Sequence, residues 1–491
     1  MEPKSRRIRR IFIRFLLFGV SILLLCYVYV VTVFSTAGDG VFSVFSGAGG
    51  GGRKAFILGG GEDPALRRLW TSREWRKVVD YHSSVFQDLI VEGFLSPTSK
   101  TLAVSTGGRG QDVFALREIG VPDSIGVSNK PSAPLVASGH PLNQPFNDDT
   151  FDFAFVGRGS FEKSTNPPRL ASEIGRVLKP DGFVAVHTAS AGDHYSFNSL
   201  LDIFNCCRLI RSREIDGPDS SAFREVVLQK REPDALRIDG DSVNTCSIPD
   251  YKRELVRSAE PLITEEPLKP WITLKKNIKN IKYLPSIVDI SFKRRYVYVD
   301  VGSRSYGSSI VSWFKKQYPK NNRTFEIYAI EADPEFHAEY KTKKGVALLP
   351  YAAWVRNETL QFEINGDPDK KHDEKGGRGM GRIRPSELSS DSTAAAIPGF
   401  DFAEWLRSTV SKTDYVVMKM DVEGTEFDLI PRLFETGTIC LIDELFLECH
   451  YNRWQRCCPG ERSSKYKKTY WQCLELFSSL RESGVLVHQW W

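Results

Sequence analysis

The sequence predicts an α/β protein: two mostly parallel, twisted sheets with helices on both faces, set behind an N-terminal transmembrane helix. Three observations predict it. Short apolar runs rich in Val, Ile, Tyr and Phe alternate with helix-like stretches twice along the chain, the pattern of β-α-β units. Several of these runs end in carboxylates and turn at once into a helix, as in YVYVDVGSRSYGSS (Tyr296 to Ser309), EIYAIEADP (Glu326 to Pro334) and YVVMKMDVEGTEFDLI (Tyr415 to Ile430). Finally, Phe15 to Phe34 contains no charged residue and is about 20 residues long, enough to cross a bilayer as a helix.

Residues 1–14 form a basic tail with Lys4, Arg6, Arg7, Arg9, Arg10 and Arg14. Basic residues flank the apolar run on this side only, so the tail is expected in the cytosol and the body across the membrane. The alternative is a cleaved signal peptide with Ser35-Thr36-Ala37 as its cleavage site, which the length of the apolar run disfavours. The tail accounts for the whole net charge of +5, leaving the remainder balanced. A balanced body has no concentrated positive face, so nucleic acid is not an expected partner.

Residues 35–75 read as a flexible stalk, rich in Gly and Ser as far as residue 62. Residues 76–230 carry the first α/β unit. Its strands are KTLAVST, SIGVS, FDFAFVG and FVAVHT, and it closes on a hairpin of CRLIRSREID and AFREVVLQK around a Gly-Pro-Asp turn. Residues 231–294, charged and punctuated by Pro, read as a linker with one or two packed helices. The second unit occupies 295–491 and contains a long polar loop, 366–396, expected to be a lid or irregular. Eight of the nine cysteines follow the apolar run, and none forms a C-x-x-C pair. In an oxidising lumen some should pair among Cys440, Cys449, Cys457, Cys458 and Cys473. Their irregular spacing around His450 argues against a metal site, and none is expected. Two sequons, at Asn322 and Asn357, fall in predicted surface turns and agree with a lumenal, glycosylated body.

The second unit carries the candidate site. In an open parallel sheet, ligands bind beyond the carboxyl ends of the strands. Asp300 ends one strand, Gly302 allows a sharp turn, and Gly307 opens the following helix. Glu331 ends the next strand, where a carboxylate can accept two hydrogen bonds from a ribose, with Asp333 close behind. Asp421 and Glu423 end a further strand, and His450 follows the strand after that.

Joined in this order, YVDVGSRSYG, YAIEADP, LLPYAAW, VVMKMDVEGTEFDLI and IDELFLECH resemble the FkbM-type methyltransferase family over residues 296 to about 450. The resemblance implies a class I methyltransferase fold, S-adenosylmethionine as cofactor, and methyl transfer to oxygen of a sugar or other small hydroxyl or carboxyl acceptor. It implies Asp300, Gly302, Gly307, Glu331 and Asp333 on the cofactor. Asp421, Glu423 and His450 are then candidates for removing the acceptor proton, an effect worth about 10²–10⁴-fold. HPLNQPFNDDTFDFAFVGRGSF and EIGRVLKPDGFVAVHT of the first unit resemble small-molecule class I methyltransferases. There Ser105, Ser128 and Asn129 stand where acids would hold the cofactor, so that domain is expected to be degenerate. The chain is therefore expected to be a single-pass, type II Golgi membrane protein acting on a glycan or small metabolite. A membrane-tethered scaffold for other Golgi enzymes is the alternative.

Overall fold

The computed structural model describes residues 64–105, 109–232, 250–365, 380–385, 395–455 and 460–490. The expected tail and transmembrane segment lie outside them. Among the described residues no helix is long and apolar enough to cross a membrane.

Two helices, Pro64–Thr71 and Arg73–Val91, come first, so the stretch read as stalk is helical from residue 64. Trp70 and Trp75 explain the difference: both are buried, and both pack on Phe114. The first sheet follows, from strands β1 (Thr101–Val104), β2 (Ser124–Ser128), β3 (Val136–Ser138), β4 (Phe151–Val156), β5 (Leu178–Thr188), β6 (Cys207–Asp216) and β7 (Ala222–Lys230). Their order is β3-β2-β1-β4-β5-β7-β6. The first five strands run parallel, and β7 is antiparallel to both neighbours, as the predicted hairpin requires.

The second unit begins with β8 (Tyr296–Val301), β9 (Phe325–Ile330) and β10 (Val346–Leu349). The chain turns at Pro350 and leaves for a different sheet with β11 (Ala352–Trp354), β12 (Glu358–Asn365), β13 (Met380–Pro385) and β14 (Ala395–Asp401). Part of the predicted polar loop is thus strand: β13 pairs antiparallel with β12 from Met380 to Pro385. The remainder of that loop, 366–379 and 386–394, lies outside the described residues. β15 (Tyr415–Met420), β16 (Glu444–Leu447) and β17 (Leu486–Gln489) complete a six-stranded, wholly parallel sheet of order β10-β9-β8-β15-β16-β17.

A parallel sheet must be covered on both faces, which is why its central strands read as continuous apolar runs. β8 and β15 are buried at every position. Val297, Val299, Val416 and Met418 enter one core, while Tyr296, Tyr298, Tyr415 and Val417 enter the other. The two-residue period of a strand deals the side chains alternately to the two faces. The second unit is also fused to the first. Phe292, in the stretch read as linker just ahead of β8, is fully buried, belongs to the core of the first sheet and packs edge-on against Phe161. Tyr195 of the first unit belongs to the core of the second, and its hydroxyl donates to Asp443 at 2.9 Å.

Candidate functional site in the second parallel sheet

The strand order reverses direction at β8, with β9 on one side and β15 on the other. At such a switch point the two loops leave in opposite directions and open a crevice. Here it is an open cleft of about 730 Å³, floored by Gly302, Ile330, Asp421 and Val422 and walled by Phe362, Gly381 and Ile383 from the four-stranded sheet. Gly302 lets the two loops meet: its φ is +78°, and a Cβ there would lie 1.9 Å from the carbonyl oxygen of Asp421. Only glycine satisfies both conditions.

Glu331 and Asp333 lie on the cleft wall, as the sequence suggests. Glu331 accepts the backbone N–H of Arg304 at 2.6 Å and of Asp333 at 2.7 Å, which fixes its carboxylate and leaves lone pairs for a ligand. Burial pushes its pKa up to about 6. Asp333 caps the short helix Pro334–Phe336, accepting from Glu335 N at 3.1 Å. Phe336, Ala332, Tyr351 and Ala353 add an apolar wall, and Arg304 lies over the Phe336 ring at 5.8 Å.

Asp300 and Gly307 do not line the cleft. Asp300 is fully buried beneath it, where Ser309 donates to Oδ2 and Lys419 Nζ approaches Oδ1 at 3.7 Å. Burial raises its pKa, against the pull of Lys419. Gly307 is exposed and begins the wide-turned helix Gly307–Lys315.

The three candidate catalytic residues converge from two segments. Asp421 follows β15 with its N–H on Val301 O at 2.9 Å, Glu423 is two residues on in a left-handed conformation (φ +53°), and His450 follows β16. His450 Nε2 stands 3.6 Å from Asp421 Oδ1 and 3.9 Å from Glu423 Oε1. Burial would lower the His450 pKa, but Glu426, Glu423 and Glu448 lift it to about 10. Glu423 also receives Lys465 Nζ at 2.7 Å and the Tyr466 hydroxyl; with His450 these outweigh burial and hold its pKa below the usual value. Glu448 is pushed up to about 8 by burial and by Asp421. Glu426, fully buried, ties Gly424 N (2.9 Å) to His450 N (2.6 Å). The disulfide Cys449–Cys473 anchors the neighbouring residue, and Cys440 is also disulfide-bonded. Sequence reasoning missed Lys419, Glu448, Lys465 and Tyr466. Lys419 and Glu448 stand inside conspicuous strings, K-x-D-V-E-G-x-E and E-C-H, whereas nothing marks Lys465 or Tyr466.

In the first unit, Ser105 donates to the buried Asp112, and a Cβ at Gly110 would meet Leu135 at 2.7 Å. An acid does stand at this loop, but on the following helix rather than at the strand end.

Comparison with known proteins divides along the same line. Residues 125–186 match the model of a methyltransferase domain, which makes the first unit methyltransferase-type and supports S-adenosylmethionine as cofactor. Residues 256–363 and 382–491 match a domain of unknown function (DUF7870), which takes in the helices before β8 as well as the second sheet. No curated protein matches the chain. Among solved structures it is similar to 1,6-didemethyltoxoflavin-N1-methyltransferase from Burkholderia thailandensis, solved with S-adenosylhomocysteine (12% identity, 34% of this chain and 83% of that one, TM-score 0.27). It is also similar to a SAM-dependent methyltransferase from Aquifex aeolicus (14% identity, 35% and 100%, TM-score 0.27) and one from Methanosarcina mazei (13%, 29% and 97%, TM-score 0.25).

Proposed function

We propose that the chain is an S-adenosylmethionine-dependent O-methyltransferase of the secretory pathway, with its chemistry in the second unit and a non-catalytic first unit. The observation that carries this reading is the cleft at the switch point. It places a pre-oriented carboxylate, Glu331, beside an apolar wall on one side and the acidic pair Asp421 and Glu423 on the other. A nucleoside cofactor would lay its ribose on Glu331 and its base against Phe336 and Ala353. Its sulfonium would then face Asp421 and Glu423, which favour a cation. The methyl donor is already activated, so the protein supplies position and proton removal. Asp421 and Glu423 line the cleft on the side from which an acceptor hydroxyl would enter, with the buried His450 behind them. The acceptor is read as a glycan or small hydroxyl or carboxyl compound, and the setting as the Golgi membrane with the body in the lumen.

Calorimetric titration of the purified full chain with S-adenosylhomocysteine tests the cofactor: saturable binding abolished or weakened by Glu331→Gln is expected. Glycan and metabolite profiling of cells lacking the protein tests the acceptor, through missing methyl ethers or esters. A scaffold would bind no cofactor and tolerate the substitution.

A further inference from the structure

His450 is only 7% exposed, yet its imidazole is poorly partnered. Nδ1 has no hydrogen-bond partner, its nearest acceptor being Glu426 Oε1 at 3.4 Å. Nε2 faces three carboxylates, Asp421 at 3.6 Å, Glu448 at 3.8 Å and Glu423 at 3.9 Å. These separations are too long for hydrogen bonds. They are close to those of ligands around one ion: two donors each ~2.1 Å from a metal lie about 3–3.5 Å apart. Donor atoms of Asp421, Glu423 and His450 all lie within 4.8 Å of one another.

Asp421, Glu423, Glu426 and Glu448 converge on this spot, and among the described residues the cationic groups that reach them are Lys419, Lys465 and the imidazolium of His450 itself. A divalent cation would displace the His450 proton and take over its share in offsetting this buried negative charge. We propose that Asp421, Glu423 and His450, with Glu448 as a fourth donor, bind a divalent cation at the edge of the cleft. Several carboxylates and a single imidazole suit an oxygen-preferring first-row ion such as Mn²⁺ better than a thiolate- or imidazole-rich zinc site. Asp421 and Glu423 both line the cleft, so the ion would present open positions to whatever enters it. Its role, holding and acidifying an acceptor hydroxyl, rests on the methyl-transfer reading; its existence does not.

The test is a titration of the full chain, stripped with EDTA and desalted, with MnCl₂ while free Mn²⁺ is followed by electron paramagnetic resonance. One bound Mn²⁺ per chain is expected, weakened at least ~10-fold by His450→Ala and by Glu423→Gln. S-adenosylhomocysteine binding and thermal unfolding are measured on the same samples to show that the variants remain folded. Wild-type protein that binds no Mn²⁺ stoichiometrically, or folded variants that bind it unchanged, would overturn the site. Cofactor binding without Mn²⁺ rejects the ion and leaves methyl transfer standing; Mn²⁺ binding without cofactor does the reverse.

Discussion

Glu331 and Gly302 are the residues on which the cleft turns. A hydrogen bond to a charged group contributes about 1.5–3 kcal/mol, so Glu331→Gln should weaken S-adenosylhomocysteine about 10–100-fold, measured by calorimetry. Its pH dependence follows from burial, which lifts this carboxyl to about 6. Cofactor affinity should be level above neutrality and fall as pH drops through 6, where protonation removes an acceptor. The stability effect has the opposite sign. A carboxyl whose folded pKa lies above its ordinary 4.5 costs stability as it ionises, so this contribution falls as pH rises from about 4.5 to 6. Gly302→Ala adds a methyl against the Asp421 carbonyl and strains a positive φ. Overpacking and backbone strain together should cost about 2–5 kcal/mol, read from the urea midpoint, with cofactor binding lost.

At the scale of elements, strands that end in acids were readable because a buried parallel strand tolerates charge only at its end. Asp300, Glu331 and Asp421 were found that way. What the sequence withheld was depth: whether Asp300 faces the cleft or lies beneath it depends on Ser309 and Lys419, on different elements. The β11–β14 sheet was hidden for a similar reason, since its edge strand β13 is a polar Gly-Arg segment stabilised by pairing with β12. The final helix starts at Tyr470, where Thr469 and Gln472 form a reciprocal cap. Another buried group was not anticipated. His488 of β17 is held between Glu260 (2.7 Å) and Glu444 (3.0 Å), which overcome burial and raise its pKa. That contribution is complete below the ordinary histidine value of 6.5 and is lost as pH rises through the elevated folded value. Glu260, held below 4.5 chiefly by His488 against burial, loses its share as pH falls through its own lowered value. His488→Ala removes the cation shared by two buried carboxylates, leaving Glu260 with Lys282 N and Arg481 and Glu444 with Leu284 N and the tyrosine hydroxyls, and should cost about 3–5 kcal/mol in urea denaturation.

At the scale of the molecule, the sequence suggests two units joined by a linker; the two family matches fall one on each unit, and the second begins at residue 256, inside the expected linker. The packing does not. Asp443, at the start of β16, accepts Tyr195 of the first unit and Val416 N of the second, while Lys293 lies 4.9 Å over the Tyr195 ring. Asp289 N donates to Asp193 at 3.0 Å across the same junction. Phe292, just ahead of β8, is buried in the core of the first sheet and Tyr195 in that of the second, so neither core is complete alone. Separate units would melt separately; a shared core makes opening one expose the other. Thermal unfolding should therefore be a single transition, with fluorescence and circular dichroism coincident. Tyr195→Ala opens a cavity and leaves an acceptor on Asp443 without its donor, which should cost about 3–5 kcal/mol. Hydrogen exchange on that variant decides the matter: protection should fall in β4 and β5 as well as in β15 and β16, whereas loss confined to one sheet would mean the two fold independently.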